Sequence, residues 1–167
     1  MKTIVMLLAF VTSAFTISAQ TNDVVDIAIS SKDHTTLVTA VKAADLVTTL
    51  KSAGPFTVFA PTNKAFSNLP KGTLDNLLKP EQKATLAGIL TYHVVAGNLD
   101  AAAVVAAIKA GNGKAVLTTV NGEKLTATLD GKKVILTDAK GGKATVTVTD
   151  LKGSNGVVHV IDAVLLP

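Results

Sequence analysis

The spacing of apolar residues changes period near residue 112, and this change limits the possible folds more than any other feature of the chain. Upstream, Leu37, Ala40, Val41 and Ala44 recur at i, i+3, i+4 and i+7, one face of a helix. Asn22 is placed to cap a shorter helix carrying Val24, Val25, Ile27 and Ala28. Leu46 and Leu50 extend the second helix until Gly54-Pro55 stops it. Phe56 to Ala60 is short, apolar and branched, the pattern of a buried strand ending at Pro61. Pro80-Glu81 opens a further helix with Leu86, Ile89, Leu90 and His93 on one face. Asp100 is positioned to cap the run Ala101–Ala110, with Gly111 past its end. Beyond Gly113 the period drops to two. Leu125, Ala127 and Leu129 alternate with Thr126 and Thr128, and Val146 and Val148 alternate with Thr145, Thr147 and Thr149. Asn121-Gly122 and Asp130-Gly131 supply the positive φ of tight hairpins, and Gly141-Gly142 a looser connection. The last run, Val157 to Leu166, is nearly all apolar, as a strand buried on both sides would be. Helices followed by antiparallel strands define an α+β domain.

The first nineteen residues fit neither half. Met1-Lys2 precedes an apolar run from Ile4 to Val11, and smaller residues lead to Ala19, the order of a secretory signal peptide. Thr12, Ser13 and Thr16 interrupt the run, which falls short of the ~20 apolar residues of a membrane span. Cleavage after Ala19 would leave residues 20–167 as one domain, secreted and extracellular or periplasmic, with no stretch that inserts into a membrane. The chain contains no cysteine, so it has no disulfide framework, thiolate metal site or cysteine nucleophile. All sixteen basic residues are lysines, which removes the bidentate clamp arginine offers to phosphate and carboxylate. The lysines are scattered, only Lys132 and Lys133 are adjacent, and aromatics do not interleave with them. The net charge of +4 therefore reads as a solvated surface and not as a nucleic-acid interface.

Catalytic patterns are missing as well. There is no G-x-S-x-G elbow, H-E-x-x-H, phosphate-binding glycine loop or dinucleotide fingerprint. Gly153-Ser154-Asn155-Gly156 reads as a turn between strands. His34, His93 and His159 are far apart and lack the short spacings of metal ligands, so no metal or cofactor is expected. His93 and His159 are read as hydrogen-bonded core residues, and His34, in a polar stretch at a helix start, as solvent-facing. Asp150 and Asp162 flank the last strand, and paired acids can cleave glycosides. The plainer reading has Asp150 ending a strand and Asp162, inside an apolar run, accepting backbone hydrogen bonds. Burial of Asp162 without a partner would be costly.

Three pieces remain that a generic core does not require: Thr57-Val58-Phe59-Ala60-Pro61-Thr62-Asn63-Lys64-Ala65-Phe66, Tyr92-His93, and Asn155-Gly156-Val157-Val158-His159-Val160-Ile161-Asp162-Ala163-Val164-Leu165. In order and spacing they resemble the fasciclin domain family, with its first box, its tyrosine–histidine motif and its second box, from about Val24 to Pro167. The motif positions, structural or binding, are Thr57, Phe59, Pro61, Thr62, Asn63, Phe66, Tyr92, His93, Asn155, Gly156, His159 and Asp162. Thr62 or Asn63 can cap the helix after Pro61, with Phe59 and Phe66 packed on either side.

The resemblance implies a wedge in which a helical N-terminal half packs on an antiparallel β-sandwich or folded sheet formed mainly by the C-terminal half. It implies a secreted, non-enzymatic binding module of bacterial single-domain type. Such a module would contribute to cell adhesion or matrix contact through surface macromolecules, protein or glycan. In animal members the tyrosine–histidine region is associated with integrin binding, which would fall here on Tyr92 and His93. The alternative is a carrier of a small apolar ligand in a helix–sheet cleft lined by some of Leu86, Ile89, Val104 and Ile108, residues that serve equally as core.

Overall fold

The chain, described over residues 22–167 in a computed structural model, opens with helix α1 (Val24–Ser30). The signal-peptide reading of residues 1–19 lies outside the described residues. Asp23 caps α1 in place of Asn22: its Oδ1 accepts the Val25 and Asp26 N–H groups, both at 2.9 Å, and Asp26 accepts the Asp23 N–H at 3.2 Å. This reciprocal box needs an acid three residues into the helix, and Asp26 meets that spacing for Asp23 alone. Helix α2 (Thr35–Ala43) buries Leu37, Ala40 and Val41 on the expected face. It does not run on to Leu50. Asp45 takes a φ of 60°, a region aspartate tolerates better than most residues, and α3 (Val47–Lys51) starts afresh.

Strand β1 (Phe56–Pro61) is followed by four short helices and one short strand: α4 (Asn63–Ser67), α5 (Thr73–Leu77), α6 (Lys83–Tyr92), β2 (Val94–Ala96) and α7 (Ala101–Ala110). Asp100 caps α7 through the Ala103 N–H at 2.8 Å. The threonine-rich half forms β3 (Lys114–Thr118), β4 (Lys124–Asp130), β5 (Lys133–Thr137), β6 (Lys143–Gly153) and β7 (Gly156–Ile161). All seven strands belong to one folded sheet in the order β2-β1-β7-β6-β5-β4-β3. Within this α+β frame one pair is parallel: β1 runs alongside β7 from Phe56 opposite Gly156 to Pro61 opposite Ile161. At the far edges a bridge between Val95 and Thr119, and a 2.7 Å bond from the Val120 N–H to the Val94 carbonyl, bring β2 to the end of β3. The sheet therefore curls into a nearly closed, barrel-like wedge.

Two hydrophobic cores result, one on each face of β1 and β7. Inside the curl, Phe59, Tyr92, Leu125, Leu136, Ile161 and Leu165 pack with Val104 and Ile108 of α7. On the other face, Val58, Ala60 and Val158 meet Val24, Leu37, Val41, Leu86 and Leu90 of the helices. Successive strand residues point to opposite faces, so one apolar run serves both cores. Of the residues expected at a ligand cleft, Leu86 lies in the helical core while Val104 and Ile108 lie together inside the curl, so no single cleft takes all of them.

Phe59 is 1% exposed and stacks on His159, with ring centroids 5.6 Å apart. Truncation by Phe59→Ala is expected to cost about 3–5 kcal/mol in urea unfolding. A loss below about 1 kcal/mol would show that this face of β1 is not tightly packed.

Candidate functional site

The residues of the first box hold the fold by hydrogen bonds. The Thr57 hydroxyl, fully buried, donates to the Gly97 carbonyl at 2.7 Å and accepts the Leu99 N–H at 2.8 Å. Thr62 caps α4 by accepting the Ala65 N–H at 3.2 Å. Asn63 instead reaches back to the start of α2, accepting the Thr36 N–H at 2.9 Å and donating to the Lys32 carbonyl at 3.0 Å. Pro61 ends β1, and Phe66 packs in the helical core while Phe59 fills the curl.

The second box is bound as fully. Asn155 donates to the carbonyls of Leu50 at 2.7 Å and Ser52 at 3.0 Å and accepts the Val24 N–H at 3.0 Å. Its own carbonyl accepts the Phe56 N–H at 3.0 Å. Gly156 lies so close to β1 that an added Cβ would sit 2.0 Å from the Phe56 carbonyl oxygen, so only glycine fits. His159 donates from Nε2 to the Leu99 carbonyl at 2.7 Å, and its Nδ1 faces the Asp150 N–H at 3.4 Å. Thr57 and His159 thus grip the same loop from neighbouring strands. Asp162 is exposed, correcting the concern over its burial; its carboxylate Oδ1 accepts the Thr145 N–H at 2.7 Å and its own N–H donates to the Thr145 carbonyl at 3.1 Å.

Tyr92 and His93 are 0% and 2% exposed, so no partner can touch them in the folded chain. The Tyr92 hydroxyl donates to the Lys124 carbonyl at 3.0 Å and accepts the Ala139 N–H at 3.1 Å; burial pushes its pKa up. His93 Nε2 accepts the Leu165 N–H at 3.0 Å, which leaves Nδ1 to carry the proton and donate to the Ile89 carbonyl at 2.8 Å. Asp138, which the sequence reading passed over, is the buried acid. It accepts the N–H groups of Lys140 at 3.0 Å, Gly142 at 2.6 Å and Leu166 at 3.0 Å. The run Asp138-Ala-Lys-Gly-Gly could have shown it as an Asx turn.

His34 is buried, correcting the expectation that it faces solvent. The 3-10 turn Lys32–His34 rolls its ring inward, where Nδ1 meets the Ser31 hydroxyl at 2.7 Å and Nε2 makes no hydrogen bond. Burial is the main cause of its lowered pKa, with the neighbouring Ala60 backbone and Asp33 opposing the shift. The Ser31–His34 pair has the serine on one ring nitrogen and no carboxylate on the other, where a hydrolytic triad needs one. Among the described residues, no group of three or more histidine and acidic side chains is arranged to hold a metal ion.

Two concavities frame the β1–β7 pair. An apolar one, lined by Val25, Leu37, Val41, Val58 and Leu90 under α1–α3, has a volume of about 30 Å³. A cavity that accepts benzene is several times larger, ~150 Å³. The second is a polar cleft of about 450 Å³ between Gly54-Pro55, Asn98, Asp100 and the Lys152–Gly156 turn.

This architecture, with two strand boxes paired in parallel and a tyrosine–histidine pair locked beneath them, is that of a fasciclin domain, and the family model for that domain matches residues 32–167. The chain belongs to the fasciclin domain family. It is 49% identical over 159 residues to Protein sll1483 of Synechocystis sp., covering 95% of this chain and 80% of that protein. It is 36% identical over 162 residues to immunogenic protein MPB70 of Mycobacterium bovis, covering 93% and 75%. Among solved structures, a FAS1 domain pair from the insect cell adhesion molecule fasciclin I superposes with a TM-score of 0.58 at 25% identity, covering 75% of this chain and 42% of that one.

Burial holds His93 neutral, its pKa lowered to about 4, with the Ile89 carbonyl and Asp138 opposing the shift. In the unfolded chain the same ring takes up a proton near pH 6.5. Between those values the unfolded state binds the extra proton, so stability should fall as pH drops from about 6.5 to about 4 and level off below. The His93 contribution is on the order of 3 kcal/mol, and His34 is shifted in the same direction. Asp26 and Asp45, held low by Lys51 and Lys83, lose their contributions only at lower pH. In His93→Gln the amide oxygen can still take the Leu165 N–H but cannot be protonated, so the slope in urea titrations at pH 7, 5.5 and 4 should shrink. An unchanged slope would contradict the assignment.

Proposed function

We propose that the chain is an exported, non-enzymatic binding module that contacts macromolecules of a cell surface or extracellular matrix. The observation that carries this reading is the fate of the chemically versatile side chains. Tyr92, His93, His159 and Asn155 spend their hydrogen-bonding capacity on backbone groups. A general base needs a free nitrogen or oxygen within reach of substrate, and a nucleophile needs a base that is itself oriented. The likeness to a cell adhesion molecule of the same family supports the same reading. No helix among the described residues is long and apolar enough to cross a membrane. On this reading contact is made by the surface of the folded domain. The small apolar cavity lends no support to a ligand carrier.

The test is saturable binding of purified protein to cells, insoluble polysaccharide and matrix protein, beside a lysine-rich control of equal net charge. Generic ester and glycoside substrates are assayed in parallel. Saturable retention on at least one surface with no turnover is expected. Turnover, or retention no greater than that of the control on every surface, would overturn the reading.

A further inference from the structure

The polar cleft is built from three segments: the loop between α3 and β1, the loop between β2 and α7, and the β6–β7 turn. Its volume of about 450 Å³ lies in the usual range of ligand sites, ~300–1,000 Å³. Each wall is fixed from below by a residue of the motif boxes. Asn98 stands between Gly97 and Leu99, whose backbone groups are held by Thr57 and, at Leu99, also by His159. Across from it, Ser154 precedes Asn155, which is tied to Leu50, Ser52, Val24 and Phe56, and the Ser154 N–H donates to the Asn22 carbonyl at 2.8 Å. Gly54 closes the space between the walls, since a Cβ there would sit 2.0 Å from the Asn155 carbonyl oxygen. A loop cluster pinned this densely loses little freedom when a ligand enters.

The rigid walls carry unused polar groups. Among the described residues, the exposed Asn98 carboxamide makes no hydrogen bond, and neither does the exposed Ser154 hydroxyl. Asp100 caps α7 through Oδ1, leaving its second oxygen available. Between these groups Pro55 exposes its ring, an apolar step without charge. The lining holds one lysine and one aspartate, so its formal charges cancel. A peptide or protein partner is usually held by an apolar anchor in a dry pocket, and polyanions by clustered cations. This cleft offers neither. A mixture of amide, hydroxyl and carboxylate beside a small apolar step matches the hydroxyls and C–H faces of a sugar.

We propose that this cleft binds a short segment of a neutral, hydroxyl-rich surface polysaccharide, with Asn98, Asp100 and Ser154 as its hydrogen-bonding groups. The proposal rests on the surface-contact reading and gives that reading a place and a partner class. Without an aromatic platform a single cleft should bind at about millimolar Kd, and many copies on one polymer would gain avidity.

The experiment is a titration of the ¹⁵N-labelled protein, followed through its amide resonances, with cellohexaose, maltohexaose, mannohexaose and chitohexaose, and with an uncharged alanine–serine hexapeptide. Saturable shifts confined to Asn98, Asp100 and residues 152–156 are expected for at least one sugar. The double variant Asn98→Ala/Ser154→Ala, which alters two unbonded exposed side chains, should keep the wild-type spectrum elsewhere and weaken that binding about tenfold or more. The proposal fails if no sugar moves these amides up to ~10 mM, ten times the Kd expected for such a site. It also fails if the double variant binds as tightly as the wild type, or if only the peptide shifts them. Surface retention of both proteins separates the two readings. Equal retention of both proteins, although the variant has lost sugar binding, shows that surfaces are held elsewhere; it overturns the cleft as the place of surface contact and leaves the surface reading standing. Sugar binding without retention on any surface does the reverse.

Discussion

Strands β1 and β7 lie side by side in parallel, joining residues about a hundred positions apart, and the rest of the molecule is arranged around that seam. Parallel strands must be closed by a long crossover, here residues 62–155. Closing a loop of this length adds little entropy over a shorter one, because the cost grows only with the logarithm of length. The seam must still be specified. Gly156 allows the backbones to meet, Asn155 bonds to three separate segments, and Phe59 stacks on His159 across the pair. Both cores then form on opposite faces of the same two strands. The helices could not find their packing surface, nor the sheet its curl, without this pairing.

Local structure was largely legible in the sequence because helix and strand periods are local signals. The buried face of α2, the cap Asp100 and the turns flanking β4 follow from residue types and spacing alone, while the cap of α4 stayed open between Thr62 and Asn63 until the fold settled it on Thr62. The misreadings came where a local pattern fitted two outcomes. Asn22 and Asp23 can both cap, and only Asp26 decides between them. Asp45 permits either a continued helix or a left-handed break, and the chain takes the break. A polar stretch around His34 looks solvated until a 3-10 turn rotates the ring inward. The parallel pairing was not legible at all, since apolar alternation states that a strand is buried and says nothing of its neighbour.

The motif residues were visible as a group, but their arrangement was not. Thr57, His159 and Asn155 lie on three segments, and only the fold shows that they immobilise the two walls of one cleft. Asn98 and Ser154, the groups left free to meet a ligand, have no sequence signal, since any exposed polar loop contains such residues. The chain thus separates two kinds of polarity. Tyr92, His93, His159 and Asn155 are consumed in holding backbone groups beneath the surface. On the reading proposed above, contact with other molecules would fall to short, ordinary side chains on rigid loops.

The central claim is that the β1–β7 seam is the contact that makes the domain. Hydrogen exchange on Gly156→Ala, compared with the unaltered protein, tests it most directly. The account predicts that the added methyl, meeting the Phe56 carbonyl, lowers global stability by about 3 kcal/mol or more, as overpacking against backbone does at the upper end of its range. Amide protection should then fall together in β1, β2 and the helices packed on them. Protection lost only at residues 154–157, with β1 and the helical core unchanged, would contradict it.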